Sequence, residues 1–304
     1  MDKFFIAGHT GLVGSAIVRE LDKRGSHWIG RKHSELDLLN REDVFEFIKK
    51  EDPSHVIIAA AKVGGIVANS SAPVEFLSEN IRIACNLLDA CHAANTFKVL
   101  FLGSSCIYPR NAPQPIREEY LLTGPLESTN ESYALAKISG LKLIQAYRNQ
   151  YGRNWISAMP TNLYGPGDNF DLQSSHVLPA TIRKFHEAKA SGSTTVTMWG
   201  TGKPMREFLH VDDLARACLF LMETYNGEIP INIGSGTDIT IQELAETVRE
   251  VVQFHGEIIW DSSKPDGTPR KLLDVSRIRD FGWSHEIELK QGITDVYDWY
   301  LNNL

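Results

Sequence analysis

A tyrosine and a lysine stand four residues apart, at Tyr133 and Lys137. The residues around them predict a helix over 131–151, and positions four apart lie on one face of a helix. A lysine ammonium beside a phenol is expected to lower the pKa of the phenol, and it can also hold a ribose hydroxyl. Such a tyrosine can exchange a proton with a carbonyl or alcohol oxygen while hydride moves at the carbon. The pair predicts the proton-transfer centre of a nicotinamide-dependent enzyme.

Two serines, Ser104 and Ser105, follow the predicted strand from Val99 to Gly103. The run 99–102 is continuously apolar, which predicts a strand buried on both faces of a sheet. Ligands of α/β proteins bind where such strands end, and a serine hydroxyl there can donate a hydrogen bond to a substrate carbonyl. We assign this catalytic role to Ser104 and expect Ser105 to be its structural neighbour.

A glycine-rich loop lies between the first apolar run and the first helical pattern, with the spacing GxxGxxG. Glycine is needed where a backbone turns tightly, approaches a pyrophosphate or packs a helix on a strand. The helix that follows offers amide donors and the positive end of its dipole to phosphates. The residues predicted to bind the dinucleotide here are Gly8, Gly11, Leu12, Val13 and Gly14.

The end of the second predicted strand favours NADPH over NADH. An acid usually stands there to hold the ribose hydroxyls of NAD, whereas this sequence has Arg31 and Lys32. Two cations suit a 2′-phosphate; the alternative is that they belong to a solvated turn. Asp37 and Leu38 are expected to contact the adenine edge.

These residues are held by alternating strands and helices. Repeated β-α units imply right-handed crossovers, and so an α/β fold with a doubly wound parallel Rossmann sheet. The predicted strands are 4–7, 27–29, 56–61, 99–102 and 155–159, and the predicted helices are 13–21, 73–91 and 131–151.

The alternation breaks after Pro160, where Gly, Pro, Asn and Asp cluster. We therefore predict a smaller, mixed C-terminal substrate domain that shares a cleft with the Rossmann domain. The predicted Rossmann domain comprises residues 1–165 and roughly 205–235. The predicted substrate domain comprises 166–204 and roughly 236–304.

The net charge, the cysteine spacing and the lengths of the apolar segments argue against several classes of function. The formal net charge of −7 argues against a partner that is nucleic acid or a membrane surface. The four cysteines lack CxxC spacing, so no metal site and no disulfide framework is predicted. The chain is expected to carry no signal peptide or membrane span and to be cytoplasmic.

Several longer strings resemble the extended short-chain dehydrogenase/reductase superfamily, and within it the enzymes that epimerise and reduce GDP-bound 4-keto sugars. The resemblance covers essentially the whole chain. The strings are AAAKVGGIVAN from position 59, FLGSSCIYP from 101, PTNLYGPGDNF from 160, PMREFLHVDDLA from 204 and SKPDGTPRKLLDV from 263.

The resemblance implies 3,5-epimerisation and NADPH-dependent 4-reduction of GDP-4-keto-6-deoxy-D-mannose to GDP-L-fucose. The C4 ketone acidifies the protons at C3 and C5. By this analogy Cys106 is the base and His176 the acid, with thiolate support expected near Cys106. Lys137 and His176 are also expected to contact the NADP(H) cofactor. A homodimer through the helices that flank the sheet, including the helix of Tyr133, is the expectation for such enzymes.

Residues for the GDP-sugar are expected in the smaller region. Cations could clamp the phosphates, Trp199 could pack on the sugar or base, and Asn162 could bind substrate or cap a turn. The full set is Asn162, Lys184, Trp199, Arg206 and Lys271.

One departure from the bacterial pattern is Thr10, because a basic residue often follows the histidine of the glycine loop there. Some tolerance of NADH is therefore expected. Seven other histidines are expected to be structural or exposed: His9, His33, His55, His92, His186, His255 and His285. His210 is expected to be structural.

Two alternatives to this function stay open. Another sugar-nucleotide epimerase or dehydratase would retain NAD⁺ and consume no NADPH, although Cys106 supplies no acid of the kind dehydratases place beside the serine loop. A non-catalytic dinucleotide sensor would bind NADPH without turnover. The coexistence of Ser104, Tyr133 and Lys137 argues against the sensor, because it needs none of the three.

Overall fold

Twelve strands and ten α-helices follow one another in residues 2–264 and 266–304, which the computed structural model describes, and two short 3-10 helices cover Ser105–Ile107 and Glu118–Tyr120. Pro265, in the last of the strings given above, and Met1 lie outside the described residues. The strands are β1 Lys3–Ala7, β2 His27–Ile29, β3 His55–Ile58, β4 Lys98–Leu102, β5 Trp155–Pro160, β6 Asn162–Tyr164, β7 Thr195–Trp199, β8 Met205–His210, β9 Ile231–Ile233, β10 Asp238–Thr240, β11 Glu257–Asp261 and β12 Arg270–Lys271. The helices are α1 Leu12–Lys23, α2 Arg41–Glu51, α3 Ile66–Ser71, α4 Pro73–Ala93, α5 Glu131–Tyr151, α6 Val177–Ser191, α7 Val211–Thr224, α8 Ile241–Val252, α9 Ser276–Asp280 and α10 Leu289–Asn302.

The central sheet has six strands in the order β2-β1-β3-β4-β5-β9, and all its neighbours are parallel. The order reverses between β1 and β3, which makes this pair the topological switch point where ligands of such sheets bind. The α/β fold with a doubly wound parallel sheet is confirmed.

The third strand is shorter than predicted. We expected a strand over 56–61, but β3 ends at Ile58, which pairs with Ala7 on one side and Phe101 on the other. One further ladder bond follows, from the Ala59 amide to the Ala7 carbonyl at 3.0 Å. The chain of β1 then turns away at Gly8, so the remaining alanines have no strand beside them and line the cleft described below.

The predicted helices are confirmed, with small differences at their ends. Helix α4 begins at Pro73, in the first turn where its missing amide costs no hydrogen bond. Helix α5 covers the predicted range. Helix α2 was not predicted, although its first turn is marked by Asn40, whose side chain accepts hydrogen bonds from the amides of Glu42 and Asp43.

Strand β8 joins the two halves of the molecule. Its second half pairs with β6, and its first half pairs with β10 and β12. Within it Glu207 is fully buried, and its carboxylate accepts hydrogen bonds from the amides of Gly236 and Leu273 at 2.6 and 3.1 Å. Strands β7 and β11 form a separate parallel pair. These contacts hold the C-terminal segments against the edge of the cleft.

The apolar core has three clusters. Two lie on the central sheet, and the third is built from residues between 164 and 300, including Leu178, Phe185, Val248 and Ile293. The stretch from Leu273 to Trp283 contributes to a cluster on the central sheet instead. Among the described residues, none of the helices has the length and apolarity needed to cross a bilayer.

Candidate active site

A cleft of about 1660 Å³ opens where β1, β3, β4 and β5 end. Its walls come from the glycine loop, the ends of these strands, the start of α5 and the segments around His176, Trp199 and Lys271. Every residue that the sequence proposed for the site lines this cleft except Lys32. The lining residues are Gly8, Gly11, Leu12, Val13, Gly14, Arg31, Asp37, Leu38, Ser104, Cys106, Tyr133, Lys137, Asn162, His176, Lys184, Trp199, Arg206 and Lys271.

The glycine loop has the shape that a dinucleotide needs. Gly8 has a φ of 87°, and a Cβ there would lie 2.8 Å from the Ala60 backbone. A Cβ at Gly14 would lie 2.0 Å from the Gly8 carbonyl oxygen. Helix α1 can therefore pack against the loop only because residue 14 has no side chain. A Cβ at Gly11 would meet no described atom nearer than 3.5 Å. Gly11 therefore leaves open the space through which a pyrophosphate would approach the N-terminus of α1.

Substitution of two of these glycines should separate packing from cofactor binding. Gly11→Ala is expected to fold normally, because its φ of −78° and ψ of 173° suit any residue, but to weaken NADPH binding by about tenfold or more. Gly14→Ala is expected to lose roughly 1–3 kcal/mol of folding stability or more, because of the backbone clash. NADPH fluorescence titration and thermal unfolding measure the two effects. Normal NADPH affinity in Gly11→Ala would contradict the assignment of this loop.

The basic residues after β2 differ in their placement. The Arg31 guanidinium donates hydrogen bonds to the Glu51 carboxylate at 3.0 Å and to the Gly30 carbonyl at 2.8 Å, and it lies 5.1 Å from the centroid of the Phe47 ring. These contacts fix Arg31 at the rim of the cleft. Lys32 is exposed and outside the cleft lining. His33 was expected to be structural or exposed; it is exposed and also lines the cleft.

The Tyr–Lys pair is positioned by close packing of α5 on β4. A Cβ at Gly140 would lie 2.3 Å from the Phe101 ring, so glycine permits this approach. Lys137 is 4% exposed, and its Nζ donates a 2.7 Å hydrogen bond to the carbonyl of Leu102. The same Nζ lies 5.7 Å from the centroid of the Tyr133 ring. Both side chains therefore reach the end of β4, beside the serine loop.

The expectation that Lys137 lowers the pKa of Tyr133 is wrong. Burial raises the pKa of Tyr133 above its ordinary value, and the nearby Cys106 raises it further. Burial also lowers the pKa of Lys137 to about 8. Removal from water opposes the charged form of both groups, and Lys137 is not among the groups that shift the pKa of Tyr133. Tyr133 is therefore held as a phenol that can donate its proton.

Ser104 and Cys106 share a short turn after β4. The Cys106 amide donates a 3.3 Å hydrogen bond to the Ser104 Oγ, and a hydrogen bond from the Ser104 side chain favours the Cys106 thiolate. Cys106 is 7% exposed, and burial raises the pKa of its thiol. Lys271 and Lys137 act in the opposite direction. The cationic support expected near this cysteine is present, but it does not overcome desolvation.

His176 precedes the first residue of α6 and lines the cleft. The surrounding protein desolvates the imidazole and lowers its pKa, and the charge of Lys271 lowers it further. Lys271 thus influences both His176 and Cys106, which places the three groups in one electrostatic environment. An acid and a base on the two sides of a bound sugar ring could exchange protons at its carbons.

Of the residues expected to bind substrate, Lys184 and Trp199 contact each other. Lys184 donates a 3.2 Å hydrogen bond to the Thr197 carbonyl, and its Nζ lies 5.4 Å from the centroid of the Trp199 ring. Trp199 is 58% exposed. Asn162 donates a 2.8 Å hydrogen bond to the Glu207 carbonyl, so at least part of its side chain serves the fold. Burial lowers the pKa of both Arg206 and Lys271.

Sequence reasoning missed further polar residues that line the cleft. They include Asn69, Arg110, Glu127, Asn130, Ser175, Asp266 and Thr268. Asn69 closes the string AAAKVGGIVAN, Asp266 and Thr268 lie in the string from position 263, and Ser175 stands beside His176. Nothing in their spacing showed that they would meet in the folded chain. His210 was expected to be structural; it is 2% exposed, and its ring accepts a hydrogen bond from the Asp212 amide that begins α7.

Within the described part of the chain, no group of three or more His, Cys, Asp or Glu side chains is arranged to hold a metal ion. All four cysteines are free, and Cys91, Cys106 and Cys218 are buried.

Comparison with known proteins gives concordant matches. Residues 4–234 match the model of the NAD dependent epimerase/dehydratase family. The chain is 58% identical to a probable GDP-L-fucose synthase 1 of Oryza sativa subsp. japonica, covering 99% of this chain and 93% of the relative. It is 51% identical to the GDP-L-fucose synthase of Escherichia coli K12, covering 99% and 97%. A GDP-L-fucose synthetase structure from Naegleria fowleri bound to NADP superposes with a TM-score of 0.92 at 29% identity, covering 99% and 94% of the two chains.

Proposed function

This chain belongs to the NAD dependent epimerase/dehydratase family, and on that basis we propose that it converts GDP-4-keto-6-deoxy-D-mannose into GDP-L-fucose. The reaction comprises epimerisation at C3 and C5 and NADPH-dependent reduction at C4. The observation that carries the proposal is that one cleft holds both a reductase set, Ser104, Tyr133 and Lys137, and an exchange pair, Cys106 and His176. The full-length relatives named above are GDP-L-fucose synthases.

The exchange steps need a base and an acid. The C4 ketone stabilises the enolate that forms when Cys106, as its thiolate, removes the proton at C3 or C5. His176, as its imidazolium, returns a proton to the opposite face of the same carbon, which inverts the centre. Desolvation by the surrounding protein opposes both charged forms, and the charge of Lys271 further opposes the imidazolium of His176. Lys271 and Lys137 favour the thiolate, so we assign them a supporting role in this step.

The reduction uses the residues at the start of α5 and the end of β4. NADPH, when bound, supplies the hydride for C4. Ser104 donates a hydrogen bond to the C4 carbonyl oxygen, which polarises the carbonyl. Tyr133 gives its proton to the same oxygen, and Lys137 holds the ribose of the cofactor. The Tyr133 phenol suits this role because burial keeps it protonated.

The glycine loop and the N-terminus of α1 would hold the pyrophosphate of the cofactor. Arg31 is the cation available for the 2′-phosphate, since its pairing with Glu51 holds it at the rim of the cleft. His33 lies on the same rim and gives a second contact for that phosphate. Lys32 is not assigned to the cofactor, because it lies outside the cleft lining.

The diphosphate of the substrate requires cations from the other wall. Arg206 and Lys271 line the cleft there, and Trp199 offers an exposed aromatic face beside Lys184. Charge-assisted hydrogen bonds to phosphate are stronger than neutral ones. We assign the diphosphate to Arg206 and Lys271 and stacking on the sugar or base to Trp199.

Loss of the Arg206 charge should weaken nucleotide binding. Arg206→Met is expected to raise the Kd for GDP by about 10- to 100-fold, because a charge-assisted contact to phosphate is lost. Isothermal calorimetry measures this. Arg183→Met is the matched control, since Arg183 lies on α6 outside the lining of this cleft and pairs with Glu187. An unchanged Kd for GDP in Arg206→Met would contradict the assigned position of the diphosphate.

Turnover tests the proposed function. The purified protein is incubated with NADPH and GDP-4-keto-6-deoxy-D-mannose, and the nucleotide products are separated against authentic GDP-L-fucose. The proposal requires stoichiometric NADPH oxidation with formation of that product. Tight retention of NAD⁺ and no net NADPH consumption would instead indicate a sugar-nucleotide epimerase or dehydratase.

The assembly, the location and the domain boundaries are also proposed. Helices α4 and α5 pack side by side, and Val74 and Leu135 on them are 71% and 39% exposed, which supports a homodimer through this pair of helices. Light scattering on a size-exclusion column tests it.

The free cysteines support a reducing, cytoplasmic location. The third apolar cluster supports a substrate domain made of 166–204 and roughly 236–304, except for the stretch from Leu273 to Trp283, which packs on the central sheet.

A further inference from the structure

Three polar side-chain atoms in the wall of the cleft have no hydrogen-bond partner among the described residues. They are the Oδ1 atoms of Asn69 and Asn130 and the Oγ of Ser175, and all three are shielded from solvent. All three residues line the cleft. Buried polar atoms in proteins are nearly always paired, so three such atoms in one ligand cleft call for a ligand that pairs them.

The orientation of Asn69 is fixed by its own amide group. Asn69 is 6% exposed, and its Nδ2 donates hydrogen bonds to the carbonyls of Gly64 at 2.8 Å and Gly65 at 3.1 Å. Both amide hydrogens are used in these bonds. The Oδ1 is therefore available only as an acceptor, and it requires a donor from the ligand.

Helix α3 brings the three side chains together. The Gly65 amide before α3 donates a 3.2 Å hydrogen bond to the Ser174 carbonyl, next to Ser175. At the other end of α3, the Ser70 hydroxyl donates to the Thr129 carbonyl at 3.5 Å, next to Asn130. The helix that carries Asn69 therefore contacts both segments that carry the other two side chains.

The same segments carry catalytic residues. Ser175 stands directly before His176, and Asn130 stands three residues before Tyr133. These neighbours act on the hexose ring in the proposed reaction, so the unpaired atoms lie around the hexose rather than around the guanine or the adenine. The donors that a hexose offers in this place are its hydroxyl groups.

We propose that Asn69, Asn130 and Ser175 form a subsite that binds the hydroxyl groups of the hexose, with Asn69 accepting a hydrogen bond from the hydroxyl at C2 or C3. The proposal rests on the proposed function, since it takes a GDP-hexose as the ligand. A site built to pair a hydroxyl discriminates strongly against a sugar without it, because its own polar groups are then left buried and unpaired. The subsite would thus select hexoses that carry both hydroxyls over deoxy analogues.

Single substitutions test the subsite. Ser175→Ala and Asn130→Ala remove atoms with no partner in the described structure, so both variants are expected to keep the fold. Asn69→Ala also removes the bonds to Gly64 and Gly65, and thermal unfolding reports whether that matters. Ser71→Ala is the matched control, because Ser71 is exposed on the same helix. Calorimetry measures the Kd of each variant for GDP-L-fucose, GDP and NADPH.

The subsite predicts that each cleft variant weakens GDP-L-fucose binding by about five- to tenfold, with unchanged affinity for GDP and NADPH and an unchanged control. Unchanged GDP-L-fucose affinity in Ser175→Ala and Asn130→Ala would overturn it. A fall in NADPH affinity instead would show that the donor is the carboxamide of the nicotinamide, and it would also overturn the assignment to the hexose. Wild-type protein that binds GDP-L-fucose no better than GDP would contradict the subsite, whereas failure of the turnover experiment above would contradict the proposed function itself.

Discussion

Replacement of Tyr133 by phenylalanine is expected to lower kcat for NADPH oxidation by about 10²- to 10⁴-fold, the usual contribution of a positioned general acid. The phenol gives its proton to the reduced oxygen in the proposed mechanism, and phenylalanine retains its ring packing while losing the proton. Exchange of the C3 and C5 protons with solvent should persist, because Cys106 and His176 remain. Stopped-flow NADPH absorbance and NMR of the sugar protons measure the two activities.

Tyr151→Phe is the control for this variant. Tyr151 lies on the same helix, is 52% exposed and accepts only a hydrogen bond from Gln150 among the described residues. Its loss should leave both activities unchanged. Retention of wild-type NADPH oxidation by Tyr133→Phe would refute the assignment of the proton donor.

Replacement of Cys106 by serine is expected to lower the rate of C3 and C5 exchange by about 10²- to 10⁴-fold. A serine hydroxyl is far less acidic than a thiol, so the base is lost while the size of the side chain changes little. Cys85→Ser is the control, since Cys85 is a half-buried thiol on α4 outside the cleft lining. Deuterium incorporation followed by NMR measures exchange directly.

The two variants together distinguish the residue that serves reduction from the residue that serves proton exchange. Tyr133→Phe should stop reduction and spare exchange, and Cys106→Ser should impair exchange. An equal loss of exchange in both variants would mean that the two residues act in the same step, which the proposed division of roles does not allow.

The sequence predicted the parts of the site that depend on local rules. The spacing of Tyr133 and Lys137 gives one helical face, and the position of Ser104 after an apolar run gives a strand end. Each follows from the periodicity of a single element. Parallel strands then bring such ends to one edge, so these residues meet in the cleft as expected.

The sequence did not predict the features that depend on contacts between residues far apart in the chain. The pKa of Tyr133 is raised because the folded protein removes the ring from water, which no neighbouring residue in the sequence reveals. The end of β3 at Ile58 depends on where β1 stops. Arg31 lines the cleft and Lys32 does not, because Glu51 on a distant helix holds the arginine. Asn69 and Ser175 are brought together by a backbone hydrogen bond between separate loops.

The most direct test of the central claim is a single turnover experiment in D₂O. Enzyme, NADPH and GDP-4-keto-6-deoxy-D-mannose are combined, and the product is examined by NMR and mass spectrometry. If one cleft performs both exchange and reduction, the product is GDP-L-fucose with deuterium at C3 and C5, and one equivalent of NADPH is oxidised. Product without deuterium at these carbons, or no oxidation of NADPH, would contradict it.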